Sequence, residues 1–138
     1  MLSRTRSSHL AVAVAFAPIV VACNAARIDA KSVHDTGGGR ARVYSASYEQ
    51  TWTAAHAAVS WNRAGAAIDH ANEHYFITDD QTYDQVGVWL LPLGTEVTKA
   101  TVVVMDQRGT GPNEEGLLKD IGIAVERVKN GQAVDKRP

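Results

Sequence analysis

The sequence predicts an α+β domain with the element order β-α-β-β-β-α. In this fold an antiparallel sheet of about four strands carries two helices on one face. Three observations lead to it: a capping signal opens a helical stripe at Ser47, several runs rich in β-branched residues follow, and an amphipathic segment closes the chain near Gly131. The single domain is expected over residues 41–131.

The first strand and helix are predicted from local signals. Residues 42–46 alternate between polar and apolar side chains, as a short strand does. Ser47 and Gln50 have the spacing of a capping box, which satisfies two backbone donors at a helix start. The glycine at position 65 is predicted to end this helix. Its apolar stripe is formed by Tyr48, Trp52, Ala55 and Val59.

Three or four strands are predicted next. Residues 66–71 and 75–78 are separated by a polar turn, and residues 86–91 form a strong β-run that Pro92 is expected to stop. In the last strand, residues 96–105, a solvent-facing Lys99 would turn alternate residues toward the core. These core residues would be Thr98, Ala100, Val102 and Val104.

Asn113 is predicted to cap the second helix, with Glu114 and Glu115 near its positive end. Gly131 ends that helix, and residues 132–138 are expected to be a frayed tail. The apolar face would consist of Leu117, Leu118, Ile121, Ala124, Val125 and Val128.

The N-terminus has the pattern of an export signal, predicted over residues 1–22. Arg4 and Arg6 form a positive region, and residues 10–22 carry no charge. A helix needs roughly 20 apolar residues to span a bilayer, so this run is too short for a permanent span. The formal net charge is −1, and removal of both arginines makes the mature chain more acidic, which argues against nucleic-acid binding.

Val20-Val21-Ala22-Cys23 resembles the lipobox of bacterial lipoproteins. In that family the cysteine thiol receives diacylglycerol, a peptidase cuts before the cysteine, and the new amine is acylated. The resemblance implies that Cys23 is the lipid attachment site and joins the mature protein to a bilayer. The alternative is an ordinary signal peptide with an incidental cysteine. Cys23 is the only cysteine, so an intramolecular disulfide is excluded.

Residues 23–40 are expected to be the lipidated N-terminus and a flexible tether. Polar residues and the run Gly37-Gly38-Gly39 break any periodicity. A flexible tether of ~17 residues spans roughly 20–25 Å and would lift the domain off the lipid. In enteric bacteria an Asp after the cysteine retains a lipoprotein in the inner membrane, so Asn24 favours the outer membrane.

Residues 43–128 resemble a family of small bacterial lipoproteins of uncharacterised function. More distantly, they are similar to the helix-grip domains in the C subunit of the outer-membrane β-barrel assembly machine. The residues that carry this resemblance are Trp52 with Ala54 and Ala55, the strand at Ile77-Thr78, residues 86–91 and 98–104, and the closing helix. The resemblance implies an envelope location and brings no catalytic residues with it.

Three groups of residues have side chains that could form a chemical site. His70 and His74 lie four apart, but they span a strand and a turn, where this spacing does not form a metal site. The acidic residues Asp79, Asp80 and Asp84 lack the spacing of a calcium loop. The glycine-rich loop at 109–112 lacks the lysine of a P-loop. We therefore expect no metal, no cofactor and no catalytic residue.

The first functional hypothesis is a non-enzymatic, membrane-anchored lipoprotein that presents its domain to an envelope protein in the periplasm. The second is a small-ligand binding module with a pocket between helix and sheet, lined by Trp52, Phe76 and Trp89. The third is an enzyme that uses His70, His74 or the pair Asp79 and Asp80. Residues predicted for a partner surface or a pocket are Trp52, Trp61, Phe76 and Trp89.

Overall fold

The structure is a computed structural model that describes residues 28–79, 84–106, 109 and 111–138. The described elements follow one another in chain order. They are α1 (Ala30–Asp35), β1 (Arg40–Tyr44), α2 (Tyr48–Trp61), β2 (Ala66–His70), a 3-10 turn (Ala71–Glu73), β3 (Tyr75–Asp79), β4 (Gln85–Gly94), β5 (Val97–Met105) and α3 (Glu114–Lys129). The predicted signal peptide and residues 23–27 lie outside the described residues.

One antiparallel sheet organises the domain. Its strands lie in the order β1-β5-β4-β3-β2, and every neighbouring pair is antiparallel. The predicted α+β class is confirmed, although the sheet has five strands where about four were expected. All five strands correspond to segments predicted as strands, and the segment predicted at residues 66–71 is β2, whose five residues are all exposed.

The helices α2 and α3 pack on one face of the sheet, which we call the inner face. Phe76, Val88 and Val102 are fully buried there against Leu117 and Ile121 of α3. Because side chains alternate along a strand, the residues between them belong to the opposite, outer face. The expected inward set of β5 is confirmed: Thr98, Ala100 and Val102 are fully buried, and Val104 packs against the same core.

The start of α2 follows the predicted capping box. The backbone amide of Gln50 donates to Ser47 Oγ at 3.2 Å, and the backbone amide of Ser47 donates to Gln50 Oε1 at 3.0 Å. The preceding strand ends at Tyr44, two residues earlier than predicted, because its pairing with β5 extends from Arg40 to Tyr44.

The end of α2 differs from the prediction. Asn62 is the C-cap, and Arg63 takes the left-handed conformation with φ of 52°, a place predicted for Gly65. The Ala64 amide donates to Val59 O at 3.4 Å and the Arg63 amide to Ser60 O at 3.0 Å, which is the bond pattern of a Schellman motif. A residue with a Cβ therefore occupies a position that favours glycine.

Replacing Arg63 by glycine should raise the free energy of unfolding by about 0.5–1 kcal/mol, because a Cβ in the left-handed region is strained. Urea denaturation followed by circular dichroism measures the change. Arg63→Ala keeps the Cβ and should give no such gain. A glycine variant no more stable than the alanine variant would contradict the assigned helix end.

The strand β4 continues beyond the predicted stop. Pro92 pairs with Thr98, and the ladder reaches Gly94 opposite Val97 with an irregularity between Pro92 and Gly94. Proline in a sheet is tolerated at such an irregularity. The β4–β5 hairpin is therefore longer than the sequence predicts.

Both ends of α3 agree with the prediction. Asn113 Oδ1 accepts from the Gly116 amide at 2.6 Å. At the other end Gly131 has φ of 66°, and the Gln132 amide donates to Arg127 O at 2.9 Å. These caps fix the helix that covers the core.

The C-terminal tail is bound to the helices, so the prediction of a frayed tail is wrong. The Trp61 indole N–H donates to Val134 O at 2.9 Å, and an Arg127 guanidinium N–H donates to Lys136 O at 3.1 Å. Arg137 pairs with Asp120, which is nearly buried, at 3.2 Å. Buried side-chain polar atoms need partners, and the tail supplies them.

The expected flexible tether also differs from the structure. Residues Ala30–Asp35 form α1, whose start is capped because Asp29 Oδ1 accepts from the Ser32 amide at 2.7 Å. Ala30 is 0 % exposed, and its amide donates to Gln85 Oε1 at 3.1 Å. The folded domain therefore begins at Asp29 rather than near Arg42. In the described part of the chain, no helix is long and apolar enough to cross a bilayer.

Candidate functional site

The outer face of the sheet is the most distinctive surface of the domain. The strand register places Val43, Ile68, Ile77, Leu91 and Lys99 on it. Among the described elements, only the six-residue α1 packs on this face, where it lies over β4 and β5. A large part of the outer face is consequently left open.

A row of four stacked rings crosses the outer face, and we call it the aromatic row. The ring centroids of His34 and Trp89 are 4.0 Å apart with an interplanar angle of 3°. Trp89 stacks on Tyr75 at 5.5 Å, and Tyr75 stacks on His70 at 4.5 Å. The aromatic row thereby joins α1 to β4, β3 and β2 through side chains.

Gly87 makes room for the aromatic row. A Cβ at this position would lie 2.4 Å from Trp89 Cζ3 and 3.3 Å from the Ala30 Cβ. The Trp89 ring therefore lies flat over the glycine, next to the first residue of α1. A large aromatic ring in this position shields the backbone of β4 from solvent and provides the surface on which α1 rests.

The polar groups of α1 are arranged around the same ring. His34 Nδ1 is buried beside Trp89 and lies 3.5 Å from Asp35 Oδ1, and Lys31 Nζ lies 2.6 Å from Asp35 Oδ2. Burial raises the pKa of the Tyr75 phenol, and the charge of Glu73 adds to this rise. Tyr75 therefore stays neutral at physiological pH and acts in the aromatic row as a ring with a hydrogen-bonding tip.

Six large apolar side chains are exposed among the described residues, with exposed fractions of 37–69 %. Val43, Ile68 and Leu91 are on the outer face by register. Ile28 lies just before Asp29, the N-cap of α1, and Leu93 and Val97 belong to the β4–β5 hairpin. None of the six lies in α2 or α3. Apolar exposure in the described chain is thus concentrated away from the helical layer.

A shallow hollow of about 300 Å³ lies beside Trp89 on this face. Leu91, Lys99 and Thr101 line it from the sheet, and His34 lines it from α1. The hollow combines an apolar wall with one ammonium group. It suits contact with an amphipathic surface better than enclosure of a small molecule.

The pocket predicted between helix and sheet is not formed by the three residues named for it. Phe76 is 0 % exposed on the inner face and meets Trp52 edge-to-face at 5.6 Å. Trp89 points to the opposite side of the sheet, because Val88 and Leu90 take the inner positions. Phe76 and Trp52 are core residues, whereas Trp61 holds the C-terminal tail. Of the four aromatic residues predicted for a surface or pocket, Trp89 alone belongs to the outer face.

The predicted histidine pair is divided between two environments. His70 stacks on Tyr75, whereas His74 has φ of 61° and meets Tyr48 of α2 edge-to-face at 5.2 Å. No group of three metal-ligating side chains occurs among the described residues. Asp80 and the Asp79 side chain lie outside the described residues.

The glycine-rich loop binds a carboxylate of the chain itself. The Gly109 amide donates to Asp106 Oδ1 at 2.9 Å, and the Gly111 amide donates to Asp106 Oδ2 at 2.6 Å. Because Asp106 occupies these donors, they are not directed at an external phosphate.

One ionisable contact was not predicted from the sequence. His56 of α2 lies against Phe76, and its Nε2 is 3.0 Å from Asp69 Oδ1 without the alignment of a hydrogen bond. Burial lowers the pKa of His56, and the Asp69 charge opposes this by raising it. The two residues are 13 positions apart in the printed sequence and meet only through β2 pairing, so no local pattern signals the contact.

The His56 pKa predicts a pH dependence of stability. The folded pKa is below the unfolded value of about 6.5, so the unfolded chain binds a proton more readily. This contribution to stability is present above pH ~6.5 and is lost as pH falls through the folded pKa. The slope for one group cannot exceed about 1.4 kcal/mol per pH unit.

Urea denaturation between pH 7.5 and 5 measures this slope. His56→Gln should flatten it. Asp69→Asn should make it steeper, because the charge that raises the histidine pKa is removed. If the wild type and His56→Gln have the same slope, His56 is not the group responsible.

Comparison of the chain with protein-family models, with curated proteins and with solved structures finds no match in any of the three. Function must therefore be argued from the residues and geometry of this chain, and these distinguish two features: the cysteine motif at its N-terminus and the open outer face of its sheet.

Proposed function

We propose that the chain is a lipid-anchored protein of the bacterial cell envelope that acts by binding rather than by catalysis. The observation that carries this proposal is the sequence Val20-Val21-Ala22-Cys23, directly after an uncharged run and shortly before a folded domain. An acyl-modified Cys23 would be the first residue of the mature protein. Asn24 in the following position favours the outer membrane over the inner one.

The start of the fold sets how far the domain extends from its anchor. Five peptide steps separate Cys23 from Ile28, and extended chain covers at most about 3.6 Å per residue, so the link reaches no more than about 18 Å. Each CH₂ group buried in a bilayer contributes about 0.8 kcal/mol, so two or three acyl chains make a stable anchor. The domain would stay at the membrane surface.

Metabolic labelling with radioactive palmitate tests the anchor. The wild-type chain should incorporate label, and Cys23→Ser should not. A double variant, Cys23→Ser with Ser45→Cys, keeps one thiol at an exposed position outside the motif and should also stay unlabelled. Equal labelling of the wild type and Cys23→Ser would refute lipidation at Cys23.

A protein partner in the periplasm is the second part of the proposal. The strand β2 is one of the two edge strands of the sheet, and all five of its residues are exposed. An edge strand offers unpaired backbone donors and acceptors to an extended segment of another protein. We assign the partner contact to this edge, next to Ala67.

Photo-crosslinking in intact cells tests this assignment. A photoreactive residue at Ala67 should yield a discrete cross-linked species with an envelope protein. The same residue at Lys119, exposed on α3, should yield none. Equal products at both positions, or none at Ala67, would remove the β2 edge as the partner site.

A further inference from the structure

The chain leaves the domain at the outer face of the sheet. Ala30 packs beside Gly87 of β4, and its amide bonds to Gln85, so the start of α1 is fixed on this face. Ile28, two residues earlier, is 69 % exposed. Any anchor at Cys23 therefore begins within about 18 Å of this side of the domain.

From this geometry we propose that the outer face lies on the phospholipid bilayer. The proposal rests on acylation of Cys23, and it assigns the lipid surface as the occupant of the open part of the outer face. Ile28, Ile68 and Leu91 would enter the headgroup region beside the anchoring chains. The domain would then lie flat on the membrane rather than extending from it on a long linker.

The side chains on this face suit a membrane interface. The exposed apolar groups on this face are separate side chains and do not line one closed pocket. Trp89, half-buried on this face and stacked on the buried Tyr75, has the apolar ring and polar tip of a residue that favours the interface. Lys31 and Lys99 have long apolar stems that can extend along lipid while their ammonium groups stay at the headgroups.

The opposite side of the domain does not have this character. The described exposed residues of α2 and α3 include Glu49, Thr53, Lys119 and Glu126. Charged residues are depleted in apolar environments unless they are paired. The short link and the distribution of apolar groups therefore select the same face, and the helical layer and the β2 edge remain available to the periplasm.

A single fluorescent label in the acylated full-length product tests the proposal. Acylation consumes the thiol of Cys23, the only cysteine, so an engineered cysteine is the one reactive position. Ile68→Cys places the label on the outer face, and Ala67→Cys places it one residue away on the other side of the same strand. Leu91→Cys and Lys119→Cys provide a second pair, on the outer face and on α3.

Each labelled protein is reconstituted into vesicles of phosphatidylethanolamine and phosphatidylglycerol that contain a lipid with a nitroxide on its acyl chain. We expect at least twofold greater quenching at position 68 than at 67, and at 91 than at 119. All four residues are exposed, so the thermal unfolding temperature of each variant should match that of the wild type.

The outcomes separate this proposal from the one on which it rests. If wild-type protein takes up label at Cys23, the thiol is free, and both proposals fail. If Cys23 is blocked but the two labels within each pair are quenched equally, the anchor stands and the bilayer assignment is wrong. The outer face is then left to a protein partner. Greater quenching at 67 and 119 would overturn the proposed orientation.

Discussion

Replacing Phe76 by alanine should lower the free energy of unfolding by about 3–5 kcal/mol, the range found when a buried aromatic side chain is truncated. Phe76 is fully buried on the inner face, where Trp52 meets it edge-to-face and His56 stacks on it at 4.0 Å. Alanine would leave a cavity, and the rings of Trp52 and His56 could fill it only if α2 moved toward the sheet. Urea denaturation of the variant measures the loss.

Ile77 provides the matched control for Phe76. It is the next residue of β3, faces the outer side of the sheet, and is half-buried. Ile77→Ala should lower the free energy of unfolding by less than half as much as Phe76→Ala, because the Ile77 side chain removes less apolar area from solvent when the chain folds. Equal losses would mean that the assigned faces of β3 are wrong, and with them the separation of core from outer face.

Replacing Gly39 by alanine should lower the free energy of unfolding by about 2–4 kcal/mol. Gly39 connects α1 to β1 with φ of +98°, and a Cβ there would lie 2.7 Å from Val102 O and 2.8 Å from Val103 Cγ2. The backbone strain of alanine in this region costs roughly 1 kcal/mol, and overlap in a packed site adds about 1–3 kcal/mol.

Gly37 separates these two effects. It also has a positive φ, of +85°, but no atom lies within 4 Å of a Cβ built there. Gly37→Ala should therefore show the strain alone, a loss of about 1 kcal/mol. If both variants lose the same amount, Gly39 does not pack against β5, and the segment before β1 would be the flexible tether that the sequence predicts.

The parts of the fold that the sequence predicts correctly depend on local signals. Ser47 with Gln50, and Asn113 with Gly131, act within a few residues of the helix ends that they cap. Such interactions are readable from spacing alone because both partners lie in the same short segment. The alternation in β5 is equally local, and it identifies the inward residues.

The parts that the sequence predicts incorrectly depend on distant partners. The six residues of α1 are too few for a periodic pattern, and an isolated helix of this length is not stable. Its stability comes from contacts of Ala30 with Gln85 and of His34 with Trp89, each 55 positions away. The C-terminal tail is held in the same way, by Trp61 and by Asp120.

The candidate site shows the same division. The sequence identifies Trp89 as a surface or pocket residue, but residues 86–91 contain no charged side chain to mark the solvent side, so alternation in β4 does not tell which side faces the helices. Trp52 and Phe76 share its aromatic character and lie in the core. The aromatic row that joins His34, Trp89, Tyr75 and His70 combines four separate elements, so only the folded chain brings it together.

The most direct test of the central claim, a lipid anchor immediately before a folded domain, is the mass of the N-terminal tryptic peptide from membrane-extracted protein. Lipidation and cleavage predict a peptide of residues 23–27, ending at Arg27, that partitions into organic solvent and carries diacylglycerol and an acyl chain on Cys23. A peptide of residues 7–27 with an unmodified cysteine would contradict the claim. So would a mature N-terminus other than Cys23.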